Sequence, residues 1–180
     1  MNWSWEGRVW KFGDQIPNDE GLMPLRLTRA QEYDPAVLAQ HCFEQVDPDF
    51  AAQAAAGDFV VAGVNFGHGN PHIQGFLGLK GLGVGLVVES ISRGPLRACV
   101  NAGVPVLQAP GIAAICNGGD RLRVDYVSGR IENLTTGQAL SAAPLPEVMR
   151  DIIAAGGGIG YMVQRLSEVE RDAASRDERE

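Results

Sequence analysis

Three short apolar runs in the middle of the chain constrain its fold more than any other feature of the sequence. They lie at Asp58–Val64, Val84–Glu89 and Val104–Gln108, and turn residues bound each of them. Continuous apolar runs of this length are typical of strands that are buried on both faces. Helices predicted at His72–Leu79 and Pro95–Ala102 connect the runs, which gives a βαβαβ unit with right-handed crossovers and a parallel sheet.

The flanking segments add one strand before this unit and further elements after it. Alternating residues predict a strand at Gly7–Gly13. A helix is predicted to begin at Asp34-Pro35 and to end before Asp47-Pro48. After the βαβαβ unit we expect a hairpin with a two-residue turn at Ser128-Gly129, and then two helices. These elements are predicted at Arg121–Val127, Arg130–Leu134, Pro144–Ala155 and Ile159–Val169.

The length and the composition favour one domain. A chain of 180 residues with 45% hydrophobic residues is long enough to bury a core and too short for two typical domains. We therefore predict a single α/β domain with a parallel βαβαβ core, a C-terminal β-hairpin and helices. It spans residues 1–166 and is followed by a charged tail over residues 167–180.

Charge and cysteine content exclude several classes of function. The 22 acidic residues exceed the 15 Lys and Arg residues, and a net charge of -7 has the wrong sign for binding a nucleic-acid backbone. No apolar leader and no uncharged apolar run of about 18 residues is present. The three cysteines, Cys42, Cys99 and Cys116, match neither a disulfide framework nor a zinc motif. We therefore expect a cytoplasmic protein without nucleic-acid or membrane partners.

The polar residues most suggestive of chemistry lie in the glycine-containing loop Asn65–His72, which follows the first apolar run. Two of the three histidines, His68 and His72, occur there with Asn65 and Asn70. Ligands of parallel sheets bind at this carboxyl edge. The loop lacks the glycine and lysine pattern of a phosphate site, and two histidines without a third ligand do not form a zinc site. The remaining alternative is a turn whose side chains satisfy local backbone groups.

Several motifs occur in a recognisable order beyond this loop. They are Asn65-Phe-Gly-x-Gly69, Val88-Glu-Ser-x-x-Arg93, Asn101-Ala-Gly-Val-Pro-Val106 and Asn133-Leu-Thr-Thr-Gly137. Together they resemble the small subunit of 3-isopropylmalate dehydratase, the swivelling domain of the aconitase family, over residues 7–166. Any one of these motifs alone is a weak signal, whereas their order over this length is a strong one.

The resemblance implies a β/β/α swivelling domain that packs on a separate large subunit. In this family the large subunit carries a [4Fe-4S] cluster, and the two subunits dehydrate and rehydrate a hydroxy di- or tricarboxylate. Three scattered cysteines do not supply the ligands of such a cluster, so we expect this chain to bind no cofactor or metal itself. The predicted partners are an iron–sulfur large subunit and a small hydroxycarboxylate, and the predicted activity is that of a hydro-lyase.

The chain departs from the family within the loop. In the family pattern Asn-Phe-Gly-x-Gly precedes Ser-Ser-Arg-Glu-His, in which the first serine is the catalytic base and the arginine holds a substrate carboxylate. Here Asn70 and Pro71 replace the serines and His72 replaces the arginine, followed by Ile73 and Gln74. A carboxamide takes up no proton near neutral pH, so another group has to act as the base.

Two hypotheses follow from this departure. In the first, His72 or His68 is the general base, because imidazole titrates near physiological pH, and Asn70 supplies the oxygen-donor role. In the second, the chain is a binding or regulatory subunit without dehydratase chemistry. We favour the first, because a degraded loop need not accumulate two histidines between intact glycines.

Asp19 falls in an Asp-Thr-Asp stretch of the family, with Pro17 replacing its first Asp. The candidate substrate-binding residues are Asn65, Arg93, Arg26 and Arg29.

Overall fold

The strands form one mixed sheet. The computed structural model describes residues 2–177. The strands are β1 Ser4–Lys11, β2 Phe59–Ala62, β3 Gly85–Val88, β4 Val106–Gln108, β5 Arg121–Asp125, β6 Arg130–Asn133 and β7 Ala139–Ser141. They lie across the sheet in the order β4-β3-β2-β1-β5-β6-β7.

Strand β1 joins a parallel half of the sheet to an antiparallel half. It runs parallel to β2, with Val9 opposite Phe59, and antiparallel to β5, with Gly7 opposite Leu122. Strands β2, β3 and β4 are parallel neighbours, and every residue of β2 and β3 is buried. The predicted α/β class and the parallel βαβαβ core are therefore confirmed.

The antiparallel half differs from the prediction in two details. Strands β5 and β6 form the expected hairpin, but the connection runs over Tyr126–Gly129 and is longer than the predicted two-residue turn. Asp125 organises it, since its side-chain Oδ1 accepts hydrogen bonds from the backbone N–H groups of Val127 and Ser128. Strand β7, which the sequence did not predict, pairs with β6.

The helices cover the sheet and connect its strands. They are α1 Leu25–Arg29, α2 Pro35–Ala39, α3 Phe50–Gln53, α4 Gln74–Leu82, α5 Arg93–Ala102, α6 Ile112–Ile115, α7 Glu147–Ala154 and α8 Gly158–Asp177. Helices α1, α3 and α6 were not predicted, because segments of four or five residues carry little periodicity.

The helix predicted between Asp34 and Asp47 is shorter than expected. Asp34 caps α2 as predicted, since its Oδ1 accepts a hydrogen bond from the backbone N–H of Ala36 at 2.9 Å. The helix ends at Ala39. Phe43 has a φ of 58°, outside the right-handed helical region, and its buried ring stacks on Phe12 with 3.9 Å between centroids. Burial of this ring therefore replaces the last turns of the predicted helix.

An aromatic cluster extends the core beneath the candidate loop. The ring of Phe50 lies edge-on to Phe43 at 5.0 Å and to Phe12 at 5.5 Å. Phe66, a residue of the loop itself, is 1% exposed and lies 6.4 Å from Phe43. Edge-to-face aromatic contacts add to the stabilisation from burial. The loop is therefore anchored to the core at Phe66.

The C-terminal helices extend beyond the prediction. The expected helix at Pro144–Ala155 corresponds to α7, and the expected helix at Ile159–Val169 corresponds to α8, which continues to Asp177. The division between a domain and a tail at residue 167 stays a prediction, and residues 178–180 of that tail lie outside the described residues. Within residues 2–177, no helix combines the length and the hydropathy that crossing a bilayer requires.

Candidate active site

The Asn65–His72 loop lies at the carboxyl edge of the parallel half, between β2 and α4. The backbone N–H of Asn65 donates to Ser90 Oγ at 2.8 Å, and that of Phe66 donates to the Ser90 carbonyl at 3.0 Å. The backbone N–H of Gly67 donates to the carbonyl of Ile16 at 2.8 Å. Ser90 follows β3 and Ile16 follows β1, so the ends of three parallel strands meet at the loop.

His72 is paired with Asp19, a residue of the segment that follows β1. The imidazole Nδ1 lies 2.8 Å from Asp19 Oδ1 and 3.1 Å from Oδ2. An ionised carboxylate only accepts hydrogen bonds, so this partner assigns the hydrogen to Nδ1. The side chains of His72 and Asp19 are 38% and 21% exposed. The neutral imidazole therefore keeps its lone pair on Nε2, within reach of solvent or a ligand.

Asn18 holds the backbone around His72. Its Nδ2 donates to the carbonyl of Asn70 at 2.7 Å and to the carbonyl of His72 at 2.8 Å. The residue is 1% exposed. Helix α4 begins at Gln74 and not at His72 as predicted, and the His72 carbonyl accepts from Asn18 outside the helix. Asn18 thus holds the backbone at the end of the loop, directly before the helix.

His68 and Asn65 both contact Gln15. The Nε2 of His68 lies 3.0 Å from the Gln15 carbonyl, which assigns the hydrogen to Nε2 and leaves the lone pair on Nδ1. The side-chain Nδ2 of Asn65 donates to Gln15 Oε1 at 2.8 Å. Both histidines therefore have one ring nitrogen engaged by the segment after β1, but His68 contacts a neutral carbonyl and His72 a carboxylate.

Asn70 and Arg93 lie in the same region and are open to solvent. The Asn70 side chain is exposed and makes no hydrogen bond within the described part of the chain. Arg93 is an exposed residue at the start of α5. Gly94 packs beside Pro71, since a Cβ added at Gly94 would lie 3.6 Å from the Cβ of Pro71. The start of α5 therefore borders the loop, and Arg93 and Asn70 are both free to meet a ligand.

Arg26 and Arg29 lie on α1, and no hydrogen bond or ion pair described for residues 2–177 joins them to the loop. The guanidinium of Arg26 pairs with Glu44 at 2.8 Å, and His41 Nδ1 lies 2.6 Å from the same carboxylate. This pair is largely exposed, and exposed ion pairs contribute little stability. Arg29 is an exposed residue at the end of α1.

The three cysteines are buried, and none of the hydrogen bonds described for them joins the Asn65–His72 loop. Burial raises the pKa of the thiols of Cys42 and Cys99, whose sulfurs face the carbonyls of Leu38 and Val104. The pKa of Cys116 is raised to about 11, mainly by burial and to a smaller extent by the nearby carboxylate of Asp120. Thiolates are the ligands of iron–sulfur clusters, so these residues do not fit a cluster. Among residues 2–177, no three His, Cys, Asp or Glu side chains are grouped to hold a metal.

The structure adds residues that the sequence did not assign to the site. Asn18 and Gln15 were not predicted, and Asp19 was noted only for its place in a family motif. All three follow β1, and β1 is the parallel neighbour of β2. The pairing of β1 with β2, had it been known, would have placed this segment at the carboxyl edge beside the loop.

The fold and the loop together define a class of protein. A mixed sheet with a parallel βαβαβ half carries an Asn-Phe-Gly loop at its carboxyl edge, and helices follow an antiparallel hairpin. This is the architecture of a small swivelling domain of the aconitase type, as the motifs implied. No family model matches the sequence.

Comparison with known proteins identifies the particular family. The isopropylmalate/citramalate isomerase small subunit of Methanocaldococcus jannaschii is 40% identical over 164 residues, 91% of this chain and 96% of that protein. The 3-isopropylmalate dehydratase small subunit of Methanosarcina acetivorans is 42% identical over 91% of this chain and 99% of its own length. The 2,3-dimethylmalate dehydratase small subunit of Eubacterium barkeri is 37% identical over 87% of this chain and 95% of its own length.

A solved structure agrees with these relatives. The crystal structure of a 3-isopropylmalate dehydratase from M. jannaschii superposes with a TM-score of 0.85 and 27% sequence identity, over 94% of this chain and 99% of the other. The chain therefore belongs to the family of 3-isopropylmalate dehydratase small subunits. The predicted family and hydro-lyase class are confirmed, and none of these comparisons favours the alternative of a subunit without dehydratase chemistry.

Proposed function

We propose that this chain is the small subunit of a two-subunit hydro-lyase that removes water from a hydroxy di- or tricarboxylate and adds it back. The names of the relatives share one chemical skeleton, a malate that carries one or two alkyl substituents. We therefore place the substrate among the alkylmalates. The three reduced cysteines agree with a reducing compartment, and we place the reaction in the cytoplasm.

The second subunit is proposed to supply the iron–sulfur cluster of the enzyme. The large subunit is proposed to carry the [4Fe-4S] cluster, which supplies a Lewis acid for the departing hydroxyl group. The buried thiols of this chain leave no ligand set for a cluster among the described residues. The contribution of this chain is then to bind the substrate and to move a proton.

The observation that carries the proposal is the pairing of His72 with Asp19. With Nδ1 engaged by the carboxylate, Nε2 takes the proton from the substrate carbon beside a carboxylate. The electrons of the broken C–H bond form the carbon–carbon double bond as the hydroxide leaves from the adjacent carbon. The Asp19 carboxylate stabilises the imidazolium that forms. In the rehydration step, the oxygen of water adds to the carbon that lost the proton, and Nε2 gives its proton to the carbon that lost the hydroxyl group.

The remaining candidate residues are assigned to binding. The free carboxamide of Asn70 and the guanidinium of Arg93 border the loop, and both hydrogen-bond to carboxylate or hydroxyl oxygens. Asn65 holds the start of the loop through Gln15. Arg26 and Arg29 follow Pro24 on α1 and are proposed to contact the variable substituent of the substrate. His68 remains the second candidate base, through Nδ1.

The experiment is to co-express the chain with its large subunit, reconstitute the cluster without oxygen, and measure turnover of a panel of alkylmalates and citrate. We expect His72→Gln to lower kcat by about 100-fold or more, because general-base catalysis contributes that order of rate. Asn70→Ala is expected to raise KM. The control is Gln53→Ala, which removes an exposed amide at the end of α3 for which no hydrogen bond to the loop is described.

Two results would contradict the proposal. Unchanged kinetic constants in both loop variants would remove the assigned site while leaving the dehydratase function in place. No turnover of any acid by the reconstituted wild-type complex would favour the noncatalytic hypothesis.

A further inference from the structure

An apolar groove lies between helices α4 and α8. One end of the groove adjoins the candidate site. Its volume is about 860 Å³. Ile73 and Leu77 form one wall along α4, and Met162, Val163 and Leu166 form the other along α8. Ile73 is the residue directly after His72, so the groove starts where the loop ends.

The α8 wall is an apolar stripe that no other element of the described chain covers. Ile159, Met162, Val163 and Leu166 follow helical spacing and share one face of α8. Ile159 is 85% exposed, and the other three are 57–58% exposed. Val169, further along α8, is 62% exposed, and the exposed Tyr33 also lines the groove. The other exposed large apolar residues described for this chain lie at separate places in the sequence. Contiguous exposed apolar surface of this kind marks an interaction site.

The α8 wall is held in place by close backbone contacts. Gly157 has a φ of 116°, and a Cβ added there would overlap the carbonyl oxygen of Asn101 at the end of α5. Lys80, in the last turn of α4, donates from Nζ to the carbonyl of Gly156 at 2.6 Å. The start of α8 is therefore fixed against the ends of α4 and α5, and the groove is a feature of the fold.

We propose that this groove receives an apolar or amphipathic helix of the large subunit, which makes it part of the interface between the two subunits. This inference rests on the two-subunit function proposed above. A partner that completes a site at His72 has to approach the edge at which Ile73 lies, and the groove continues from that edge along the whole length of α4. An amphipathic helix placed in an apolar groove is a recurring mode of protein recognition.

The shape of the groove argues against a second copy of this chain as the occupant. A two-fold dimer brings the same patch of both copies together, so the patch has to be complementary to itself. Two concave grooves placed face to face would enclose a void between them. The groove instead needs a convex element, and the described part of this chain presents no other unpaired apolar helix face.

The test compares two substitutions on α8 that each add one negative charge. Leu166→Glu places a carboxylate inside the groove, and Gln164→Glu places one on the exposed opposite side of the same helix. Affinity for the purified large subunit is measured by calorimetry without substrate. We expect Leu166→Glu to weaken binding by at least about tenfold, since buried apolar contacts dominate interfaces, and Gln164→Glu to change it less than about twofold. Circular dichroism checks that both variants fold.

A second measurement locates the contact directly. The native cysteines are buried, so a cysteine introduced by Val163→Cys is selectively labelled with a polarity-sensitive fluorophore. A blue shift on addition of the large subunit is expected, and a shift only on self-association of the chain would identify a second copy as the occupant.

Equal affinities of Leu166→Glu and Gln164→Glu with an unshifted label would overturn the groove assignment. If the wild-type chain does not bind the large subunit at all, the two-subunit proposal fails together with this inference. Neither measurement uses turnover, so an error in the assignment of His72 leaves both results interpretable.

Discussion

The carboxylate of Asp19 and the imidazole of His72 lie within 2.8 Å of each other although 53 positions separate them in the chain. Asp19 follows β1 and His72 ends the loop after β2, so the contact exists because these strands are parallel neighbours. The pair determines which ring nitrogen is free. It also places the negative charge of Asp19 beside His72, whereas the ring of His68 contacts a neutral carbonyl.

Replacing Asp19 by Asn tests this pairing. The amide keeps the size of the side chain but loses the charge that stabilises an imidazolium. We expect Asp19→Asn to lower kcat of the reconstituted enzyme by about 10- to 100-fold with a smaller change in KM. The control is Glu20→Gln, which neutralises the adjacent, exposed carboxylate. Equal kcat values for both variants would show that Asp19 has no role in positioning His72.

Asn18 is predicted to be important for stability as well as for the loop. Asn18→Ala removes two hydrogen bonds. It leaves the His72 carbonyl without its donor, while the Asn70 carbonyl keeps the backbone N–H of His72 at 2.8 Å. We expect a loss of about 1–3 kcal/mol in the free energy of unfolding, measured with urea. Asn18→Asp should destabilise further, because a carboxylate has no hydrogen to donate to the two carbonyls. An unfolding free energy equal to that of the wild type in both variants would contradict this role.

The cysteines are predicted to be inert in the folded chain. Burial raises the pKa of all three thiols, and that of Cys116 reaches about 11. The reactive thiolate is therefore scarce at pH 8, and the side chains are also inaccessible. A disulfide reagent should modify no thiol rapidly in the native chain and three after denaturation with guanidinium. Rapid modification of any thiol before unfolding would contradict the buried positions.

The outer face of the antiparallel half predicts a dependence of stability on pH. Arg123 Nε donates to Glu6 at 3.0 Å, and its Nη1 donates to Glu132 at 3.1 Å. Hydrogen bonds from Arg123 and Arg130 lower the pKa of Glu6 and Glu132, respectively, below the usual value of 4.5. Because these pKa values are lower in the folded state, the stabilisation is present above pH 4.5 and is lost as the pH falls through the folded values.

Urea unfolding between pH 6 and pH 3 measures this effect. We expect Glu6→Gln to flatten the acid branch of the stability curve, and high salt to reduce the difference between the variant and the wild type. The same acid branch in both proteins would show that the ion pairs of Arg123 contribute nothing in solution.

The class of fold was predictable from the sequence alone. The apolar runs that became β2, β3 and β4 contain no alternating polar residues, and a strand of that kind is stable only when both of its faces are covered. The predictions that failed concern helix ends, where contacts with residues far away in the sequence outweigh the local helical pattern. Phe43 leaves the helix to bury its ring against Phe12, and the backbone at His72 is held by Asn18 and not by the first turn of α4.

The sequence by itself determined the family, the α/β architecture and the location of a polar loop at a sheet edge, because periodicity and motifs depend on neighbours along the chain. Only the tertiary structure decided that Asp19 meets His72, that Asn18 clamps the loop, and that α8 borders a groove at Ile73. These contacts join segments that are far apart in sequence, and the order of strands in the sheet brings them together.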